Sequence, residues 1–396
     1  MSDTTVMPTP PKKRLALFLD GTWNTVSSNT NVWRLKSLCA PLGSDGIRQQ
    51  VYYNAGLGTT MGEIVRGGVF GYGIDDVVID AYEWLIENYE TEDEIFIFGF
   101  SRGAYTARSL SGFISRCGLL TPGAPLSIRQ LYERYKRGND VPSIHELINR
   151  ADKSGFKNEE KWMLTYSLPI LVKFTGVWDT VGAVSGSNHF ALLTGGNHEF
   201  LDTNLRRSEE FVFHALAIDE HRKAFAPTLL TKYVPKTGAT VPPRLLSEVE
   251  QRWFVGAHAN VGGGVDNDLL AQIPLKWMMG KAALHGFVFR REIDIDDGVS
   301  SSPIEDSFAE FAGGAYKVIE FGIPYYREIA RPPEERSITI VHTINESIDL
   351  SVFNRWRQDE NYRPKNLVLW ASTHGVKIED LKSSVEADNP QEAVDD

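Results

Sequence analysis

Apolar residues along the chain form short continuous runs that alternate with stretches of helical periodicity. The runs are rich in aromatic and β-branched residues and lack a helical period, which is typical of buried strands. They cover residues 14–20, 50–54, 95–98, 170–177, 251–256 and 338–341. Residues 75–89 instead repeat apolar side chains at helical spacing, which predicts an amphipathic helix. This alternation predicts an α/β domain with a mostly parallel central sheet and helices on both faces.

The most informative stretch is the transition from strand to helix between residues 94 and 108. The apolar run 95–98 leads into Gly-Phe-Ser-Arg-Gly at 99–103, and helical spacing resumes directly afterwards. A G-x-S-x-G motif between a strand and a helix is the setting of a nucleophile elbow, where glycines permit a strained turn that exposes the serine. The alternative is a plain turn in which Ser101 caps the helix. The flanking strand and helix favour the catalytic interpretation, with Ser101 as the nucleophile.

Two further residues follow predicted strands in the way that a catalytic triad requires. Asp179 comes just after the run 170–177, and His258 comes just after the run 251–256, on a predicted loop that continues into three glycines. Ser101, Asp179 and His258 therefore occur in the chain order nucleophile, acid, base that α/β-hydrolases have. A base activates the weak serine nucleophile, and an acid holds that base in the useful tautomer. For Asp179 alone a turn or cap is the simpler explanation, but the elbow upstream favours catalysis.

The run 14–20 ends in Asp20, Gly21 and Thr22. Phosphatases with an aspartyl nucleophile also have an apolar run that ends in Asp, but they need a second Asp two residues later, where this chain has Thr22. We therefore expect the loop to serve as part of an oxyanion hole, with the backbone N–H of Gly21 or Thr22 acting together with that of Arg102. Asp20 would brace this loop by accepting its hydrogen bonds.

The segment 211–222 carries His214 and His221 beside two acidic residues. The spacing of the side chains in this segment predicts an amphipathic helix. A metal site is the alternative, but neither H-E-x-x-H nor a cysteine set accompanies the histidines, so packed histidines are the favoured interpretation. The glycine-rich stretch 56–73 lacks the spacing of a dinucleotide or phosphate loop and is predicted to be a mobile loop near the active site. The sequence thus indicates neither a metal nor a cofactor.

Composition along the chain suggests the domain boundaries. Residues 1–13 are polar and proline-rich, and residues 383–396 form an acidic tail, so both segments are predicted to be disordered. A single α/β-hydrolase domain would span 14–382. The charged, helix-prone stretch 118–169 is predicted to be a cap or lid inserted into it, with a peripheral helical pair as an equal alternative. Residues 287–335 are predicted to be a second insertion.

Net charge and cysteine content narrow the partners and the compartment. The 396 residues carry a net charge of −11, which argues against nucleic acid as a partner and against electrostatic recruitment to anionic membranes. A peripheral, apolar contact with lipid stays open. The two cysteines suit a reducing compartment, the N-terminus has no signal-peptide core, and no apolar run approaches the ~18 residues of a transmembrane helix. We expect a cytoplasmic protein, or one exported without a cleaved signal peptide.

Several motifs between residues 15 and 264 together resemble one known family. They are LFLDGTWN, GLGT, IFIFGFSRGAYTAR, VWDTVGA, HALAIDEHR and WFVGAHANVGGG. The set is similar to the α/β-hydrolase domain of the type VI secretion phospholipase effectors of the first lipase class, and to their uncharacterised bacterial and fungal relatives. The resemblance implies an α/β-hydrolase fold, the triad Ser101, Asp179 and His258, and a phospholipid substrate. We expect the large C-terminal membrane-docking domain of these effectors to be missing here.

The sequence therefore predicts a serine hydrolase that cleaves carboxylic esters, with phospholipid or another acyl lipid as its substrate and no metal or cofactor. Two alternatives stay open at this point. One is a small-molecule esterase or thioesterase with a narrow pocket, and the other is a non-catalytic scaffold that uses the fold to bind a partner. The presence of all three triad residues weighs against the scaffold.

Overall fold

The computed structural model describes residues 12–21, 28–56, 73–182, 204–206, 208–237, 242–265, 268–310 and 322–394. Within these residues the strands are β1 (Lys13–Leu19), β2 (Arg48–Asn54), β3 (Glu94–Phe100), β4 (Leu119–Leu120), β5 (Ser167–Leu168), β6 (Val172–Trp178), β7 (Glu209–Ala217), β8 (Thr231–Pro235), β9 (Val249–Phe254), β10 (Glu334–Glu335), β11 (Thr339–Thr343), β12 (Glu346–Ile348), β13 (Ser384–Glu386) and β14 (Ala393–Val394).

The α-helices of the described residues are α1 (Asn31–Leu38), α2 (Ile74–Asn88), α3 (Arg102–Cys117), α4 (Ile128–Lys136), α5 (Ile144–Asn149), α6 (Asn158–Tyr166), α7 (His258–Gly262), α8 (Gln272–Leu284), α9 (Ser307–Glu310), α10 (Leu350–Gln358) and α11 (Lys365–His374). In this part of the chain, no helix is both long enough and apolar enough to cross a membrane.

Nine strands of the described residues form the central sheet, in the order β14-β13-β12-β9-β7-β6-β3-β1-β2. All neighbours from β12 to β2 pair in parallel, whereas β13 and β14 add an antiparallel edge. The sheet is mostly parallel, as predicted for an α/β-hydrolase-like fold. Since parallel strands end at the same edge, the residues that follow β3, β6 and β9 are brought to one side of the sheet.

Helices cover both faces of this sheet because its central strands are apolar on both sides. In β1, Leu15, Leu17 and Leu19 pack into a core with residues of α2 and α3. The intervening Ala16 and Phe18 pack into a second core with residues of α1 and α8. The sequence prediction of helices on both faces is confirmed.

The predicted helix over 211–222 is wrong. Residues 209–217 form β7, which lies between β6 and β9 and is fully buried over its second half. A strand buried on both faces has no polar alternation, so the spacing of His214, Ile218 and His221 resembled a helix by coincidence.

The predicted disorder of 383–396 is also wrong for residues 384–394. There β13 pairs with β12, and β14 pairs with β13. The buried side chains of Val385, Ala387 and Val394 attach this acidic segment to the sheet edge. At the other end, β1 begins at Lys13, and residues 1–11 lie outside the described residues.

The insertion predicted at 118–169 is helical and contains α4, α5 and α6 between the short strands β4 and β5. Its apolar side chains, among them Leu131, Tyr135 and Met163, are buried in the same core as α2 and α3. A lid role for it stays a prediction. The glycine-rich loop lies outside the described residues from 57 to 72. The late strand predicted at 338–341 exists as β11, but it belongs to a separate sheet with β8 and β10.

Candidate active site

Ser101 lies in the sharp turn between β3 and α3. Its backbone has φ 58° and ψ −122°, a conformation that non-glycine residues rarely adopt. The turn is tight because Gly103 packs directly on the end of β1, where a Cβ would overlap the Leu19 carbonyl oxygen and approach that of Asp20 to 2.5 Å. The Ser101 side chain makes no capping hydrogen bond. The geometry is that of a nucleophile elbow and differs from that of an N-cap serine.

Asp179 is the first residue beyond β6, the strand next to β3. It also has a positive φ of 41°, and its side chain is fully buried. Its backbone N–H donates to the carbonyl of Ala215 at 2.7 Å, which continues the ladder between β6 and β7 past the strand end. This bond holds the carboxylate at the carboxyl edge of the sheet.

His258 is the first residue of the short helix α7, rather than part of the glycine-rich loop that follows it. The Phe100 ring packs against the imidazole with a centroid separation of 4.7 Å, and the Phe225 ring meets it edge-on at 5.1 Å. Gly262 makes the first contact possible, because a Cβ there would overlap the Phe100 ring. The glycines of this motif therefore allow close packing behind the histidine.

The three predicted triad residues are brought together. His258 Nδ1 lies 2.5 Å from Asp179 Oδ2, and His258 Nε2 lies 2.8 Å from Ser101 Oγ. A neutral histidine that donates from Nδ1 to the carboxylate presents a lone pair on Nε2 to the serine hydroxyl. This arrangement can remove the proton from Ser101 Oγ and stabilise the imidazolium that results.

Both oxygens of the Asp179 carboxyl accept hydrogen bonds, and the surrounding groups favour its ionised form. Besides His258, it accepts hydrogen bonds from the Ala217 N–H at 3.0 Å and from Arg327, which donates to Oδ1 at 2.6 Å and to Oδ2 at 2.9 Å. Burial alone would raise the pKa of this carboxyl. The charge of Arg327, and then the hydrogen bond and charge of His258, outweigh burial and hold the pKa well below its usual range.

Glu220 is a second buried carboxylate beside the histidine. Its Oε2 accepts from the His258 backbone N–H at 3.3 Å and from Ser307 Oγ at 3.0 Å, and both of its oxygens accept from Arg222 at 2.8 Å. Burial opposes its ionisation, but the Arg222 hydrogen bond and charge prevail and lower the pKa of Glu220 from 4.5 to about 2. A fixed negative charge therefore lies at the start of α7.

Sequence reasoning missed the roles of Arg327 and Glu220. Glu220 entered only as part of a possible metal set, and Arg327 is one of several arginines in a stretch without a motif. No local pattern distinguishes them, because the site residue that each contacts, His258 or Asp179, is distant along the chain.

Asp20 and Gly21 lie where the loop after β1 meets the elbow. Asp20 Oδ1 accepts from the Gly21 N–H at 2.8 Å, and Oδ2 accepts from Thr30 Oγ1 at 2.6 Å and from the Tyr53 hydroxyl at 3.2 Å. The Gly21 N–H is thus directed at Asp20 in this structure. Arg102 is the first residue of α3, beside Ser101, and Thr22 lies outside the described residues. The assignment of Arg102, Gly21 and Thr22 to an oxyanion hole stays a prediction.

His214 and His221 lie apart from the serine's hydrogen-bond chain. His214 is fully buried, its Nε2 accepts from the Thr180 N–H at 3.0 Å, and its Nδ1 faces Gln251 Oε1 at 3.3 Å. Burial, reinforced by the charge of Arg108, lowers the pKa of His214 from 6.5 to about 3. His221 Nδ1 lies 3.1 Å from the Tyr325 carbonyl oxygen. Within the described residues, no group of three or more His, Cys, Asp or Glu is placed so that it could hold a metal ion.

Comparison with known proteins identifies similar chains. The family model of the catalytic domain of Tle1-like phospholipase effectors of the type VI secretion system matches residues 13–281. An uncharacterized protein of Saccharomyces cerevisiae is 27% identical over 243 residues, which are 57% of this chain and 34% of the yeast protein. The match therefore spans about a third of the length of this curated relative.

Solved structures with similar chains are distant. An uncharacterized protein from Pseudomonas aeruginosa is 17% identical with a TM-score of 0.40, and the match covers 75% of this chain and half (50%) of that one. The Tle1 effector bound to the VgrG spike of the type VI secretion system is 15% identical with a TM-score of 0.41, with 79% and 81% of the two chains covered.

Proposed function

The chain belongs to the family of Tle1-like phospholipase effector catalytic domains, and from this premise we propose that it is a serine hydrolase that cleaves carboxylic esters through an acyl-enzyme. The observation that carries the proposal is the continuous hydrogen-bond chain from Ser101 Oγ through His258 to Asp179. A strained serine, a neutral base and a buried ionised acid are the groups that such a reaction needs.

In the proposed reaction, Ser101 Oγ attacks the ester carbonyl while His258 Nε2 takes the hydroxyl proton. The carbonyl oxygen becomes an oxyanion, for which we propose the Arg102 N–H and one N–H of the loop at Gly21 and Thr22 as donors. To serve as that donor, the Gly21 N–H would have to exchange its hydrogen bond to Asp20 Oδ1 for one to the oxyanion. His258 then returns its proton to the leaving alcohol, and the acyl group stays on Ser101. Water, deprotonated by the same histidine, attacks the acyl carbon, and the bond from that carbon to Ser101 Oγ breaks. His258 returns the proton to Ser101 Oγ, and the carboxylic acid is released.

The proposed substrate is a phospholipid or another acyl lipid. The family's own description as phospholipase effectors supports this class. The net charge of −11 gives no attraction to anionic headgroups, so binding would rest on apolar contact with a zwitterionic or neutral surface.

The proposal is tested with purified protein, a fluorophosphonate probe, phosphatidylcholine vesicles and a short-chain p-nitrophenyl ester. We expect the probe to label Ser101, and Ser101→Ala to lose labelling together with about 10⁴-fold or more in kcat, because triad members act as a unit. Ser37→Ala, at an exposed serine of α1, is the matched control and should behave like the wild type.

The outcomes separate the alternatives. Preference for vesicles supports an acyl-lipid hydrolase, whereas hydrolysis of the short ester alone supports a small-molecule esterase. Near-normal turnover by a folded Ser101→Ala protein would exclude the triad. A wild-type protein that neither reacts with the probe nor hydrolyses any ester would be a scaffold.

A further inference from the structure

A fully buried arginine, Arg327, contacts the acid of the candidate triad. It comes from a segment beyond residues 13–281, which the family model matches. Its two terminal nitrogens donate to the two oxygens of Asp179 at 2.6 and 2.9 Å. The same nitrogens donate to the carbonyl oxygens of Ala217 at 2.7 Å and of Phe225 at 2.6 Å. The guanidinium is therefore fixed by the backbone on one side and fixes the carboxylate on the other.

This contact determines the orientation of the carboxylate. A planar guanidinium that binds both oxygens resists rotation of the carboxylate, because rotation would break two charge-assisted hydrogen bonds at once. The Ala217 N–H adds a third bond, to Oδ1. Asp179 Oδ2 consequently stays directed at His258 Nδ1, 2.5 Å away.

The contact also favours one tautomer of His258 over the other. A buried carboxylate without a counter-charge favours its protonated form. A protonated Asp179 would donate to His258 Nδ1 and leave the histidine proton on Nε2, where it could not accept the Ser101 proton. The positive charge of Arg327 opposes this exchange of roles.

We propose that Arg327 is a positioning residue for the reaction, which holds Asp179 ionised and oriented so that His258 keeps its Nε2 lone pair towards Ser101. This inference rests on the proposed function, because it assigns a task within the same triad. Arg327 touches neither the serine nor the site of ester cleavage in this scheme, and it acts through Asp179.

The charged groups around Asp179 and His258 determine what a pH profile can report about Arg327. Among the described residues, Glu220 contacts the His258 backbone and pairs with Arg222, while His214, next to Arg108, interacts with both Asp179 and Arg327. The pKa of Glu220 is lowered to about 2 and that of His214 to about 3. Neither group changes charge near neutral pH. Asp219, beside Glu220, accepts from the Gly256 N–H at 2.7 Å, and burial raises its pKa from 3.8 to about 6. Asp219 is present in every variant, so the difference in acid limb between wild type and an Arg327 variant, rather than the position of the limb, reports on the Asp179–His258 pair.

The experiment compares the pH profiles and thermal stabilities of wild type, Arg327→Met and Arg327→Lys in the full chain. Arg327→Met removes both the positive charge and the paired hydrogen bonds from the guanidinium to Asp179. We expect a kcat about 10²-fold lower and an acid limb about one pH unit higher, because loss of a nearby positive charge favours proton uptake by the pair. Arg327→Lys keeps the positive charge but loses the paired hydrogen bonds to both oxygens of Asp179. Its acid limb should therefore stay at the wild-type pH, while kcat falls about tenfold with little change in KM.

Arg134→Met is the matched control. Arg134 is buried like Arg327 and pairs with Glu159 at 2.9 Å and with the Pro142 carbonyl at 2.7 Å, but it lies on α4, which carries no residue of the site. The Arg134→Met variant should lose stability, but the acid limb of its kcat/KM profile should stay at the wild-type pH.

The results can overturn the inference and the proposed function separately. An active wild type whose Arg327 variants lose only stability, as we expect for Arg134→Met, overturns the positioning role alone. If Arg327→Met does not fold, Arg327→Lys decides, and wild-type kcat in that variant contradicts the proposal. A wild type without probe labelling or ester hydrolysis overturns the proposed function and the inference with it.

Discussion

Ser101 and Asp179 share a backbone feature that sets them apart from their neighbours. Both have positive φ values, 58° and 41°, although neither is a glycine. Each is held there by a backbone bond across the sheet, from the Ser101 N–H to Trp178 and from the Asp179 N–H to Ala215. Such conformations cost of order 1–3 kcal/mol and persist where function or packing requires them. The glycine pattern around Ser101 signalled its strain in the sequence, whereas nothing local signalled that of Asp179.

The histidines provide a test at the scale of single residues. His258→Ala should abolish ester hydrolysis and probe labelling together, because no other base contacts Ser101 Oγ among the described residues. His214→Gln should keep the acid limb of kcat/KM, because the pKa of His214 is lowered to about 3 and it stays neutral throughout the working range. Steady-state kinetics between pH 5 and 8 would check both expectations.

The substitution His214→Gln should also change how the stability of the protein depends on pH. An unfolded His214 takes up a proton below about pH 6.5, but the folded one does so only near pH 3, so its contribution to stability is lost as pH falls between these values. His214→Gln should flatten this part of the curve of melting temperature against pH. Unchanged pH dependence of stability, or loss of the acid limb in this variant, would contradict the assignment.

At the scale of elements, the sequence predicted the strands and helices that lead into the site. The runs that become β1, β3, β6 and β9 are apolar and short, and the elbow motif marks the turn into α3. The assignment of β7 failed because a central strand buried on both faces lacks alternation. The strands β12, β13 and β14 have only two or three residues each, too few to produce a period.

The packing of α3 on β1 provides a test at this scale. Gly103→Ala would place a methyl group against the Leu19 carbonyl, so the helix must move away from the strand and carry Ser101 with it. We expect a loss of about 1–3 kcal/mol of stability and a disproportionate loss of kcat, measured by thermal unfolding and ester hydrolysis.

Gly280→Ala is the control for this substitution. Gly280 lies in α8, and a Cβ added there would meet nothing within 4 Å, so the change should stabilise the protein by about 0.4–1 kcal/mol and leave kcat unchanged. If Gly103→Ala and Gly280→Ala had equal stability and equal kcat, the contact of Gly103 with β1 would not position the elbow.

For the whole molecule, the candidate site joins parts of the chain that no sequence window contains. Ser101 and His258 are 157 residues apart, and Arg327 is 148 residues beyond Asp179. Chain order and a motif were sufficient to select the three residues of the candidate triad, which the structure brings into hydrogen-bond contact. The partners of the triad acid could not be predicted, since their identity depends on how the segment after α8 packs against β7.

This dependence predicts that residues 1–281, which end where the family match ends, do not form a stable protein. Removal of β12 would leave β9 at the edge of the sheet, and loss of α10 and α11 would uncover the fully buried Trp253 and Leu216. Each fully buried large apolar side chain contributes about 1.5–3 kcal/mol, so the loss is comparable with the total stability of a typical domain, about 5–15 kcal/mol. Asp179 would also lose Arg327.

We expect this fragment to bind a hydrophobic dye, to lack a cooperative thermal transition and to remain unlabelled by the fluorophosphonate probe. A chain that ends at residue 388 loses only the short edge strand β14 and should keep both the transition and the labelling. A soluble fragment 1–281 that unfolds cooperatively and reacts at Ser101 would show that the matched region is sufficient without the rest of the sheet.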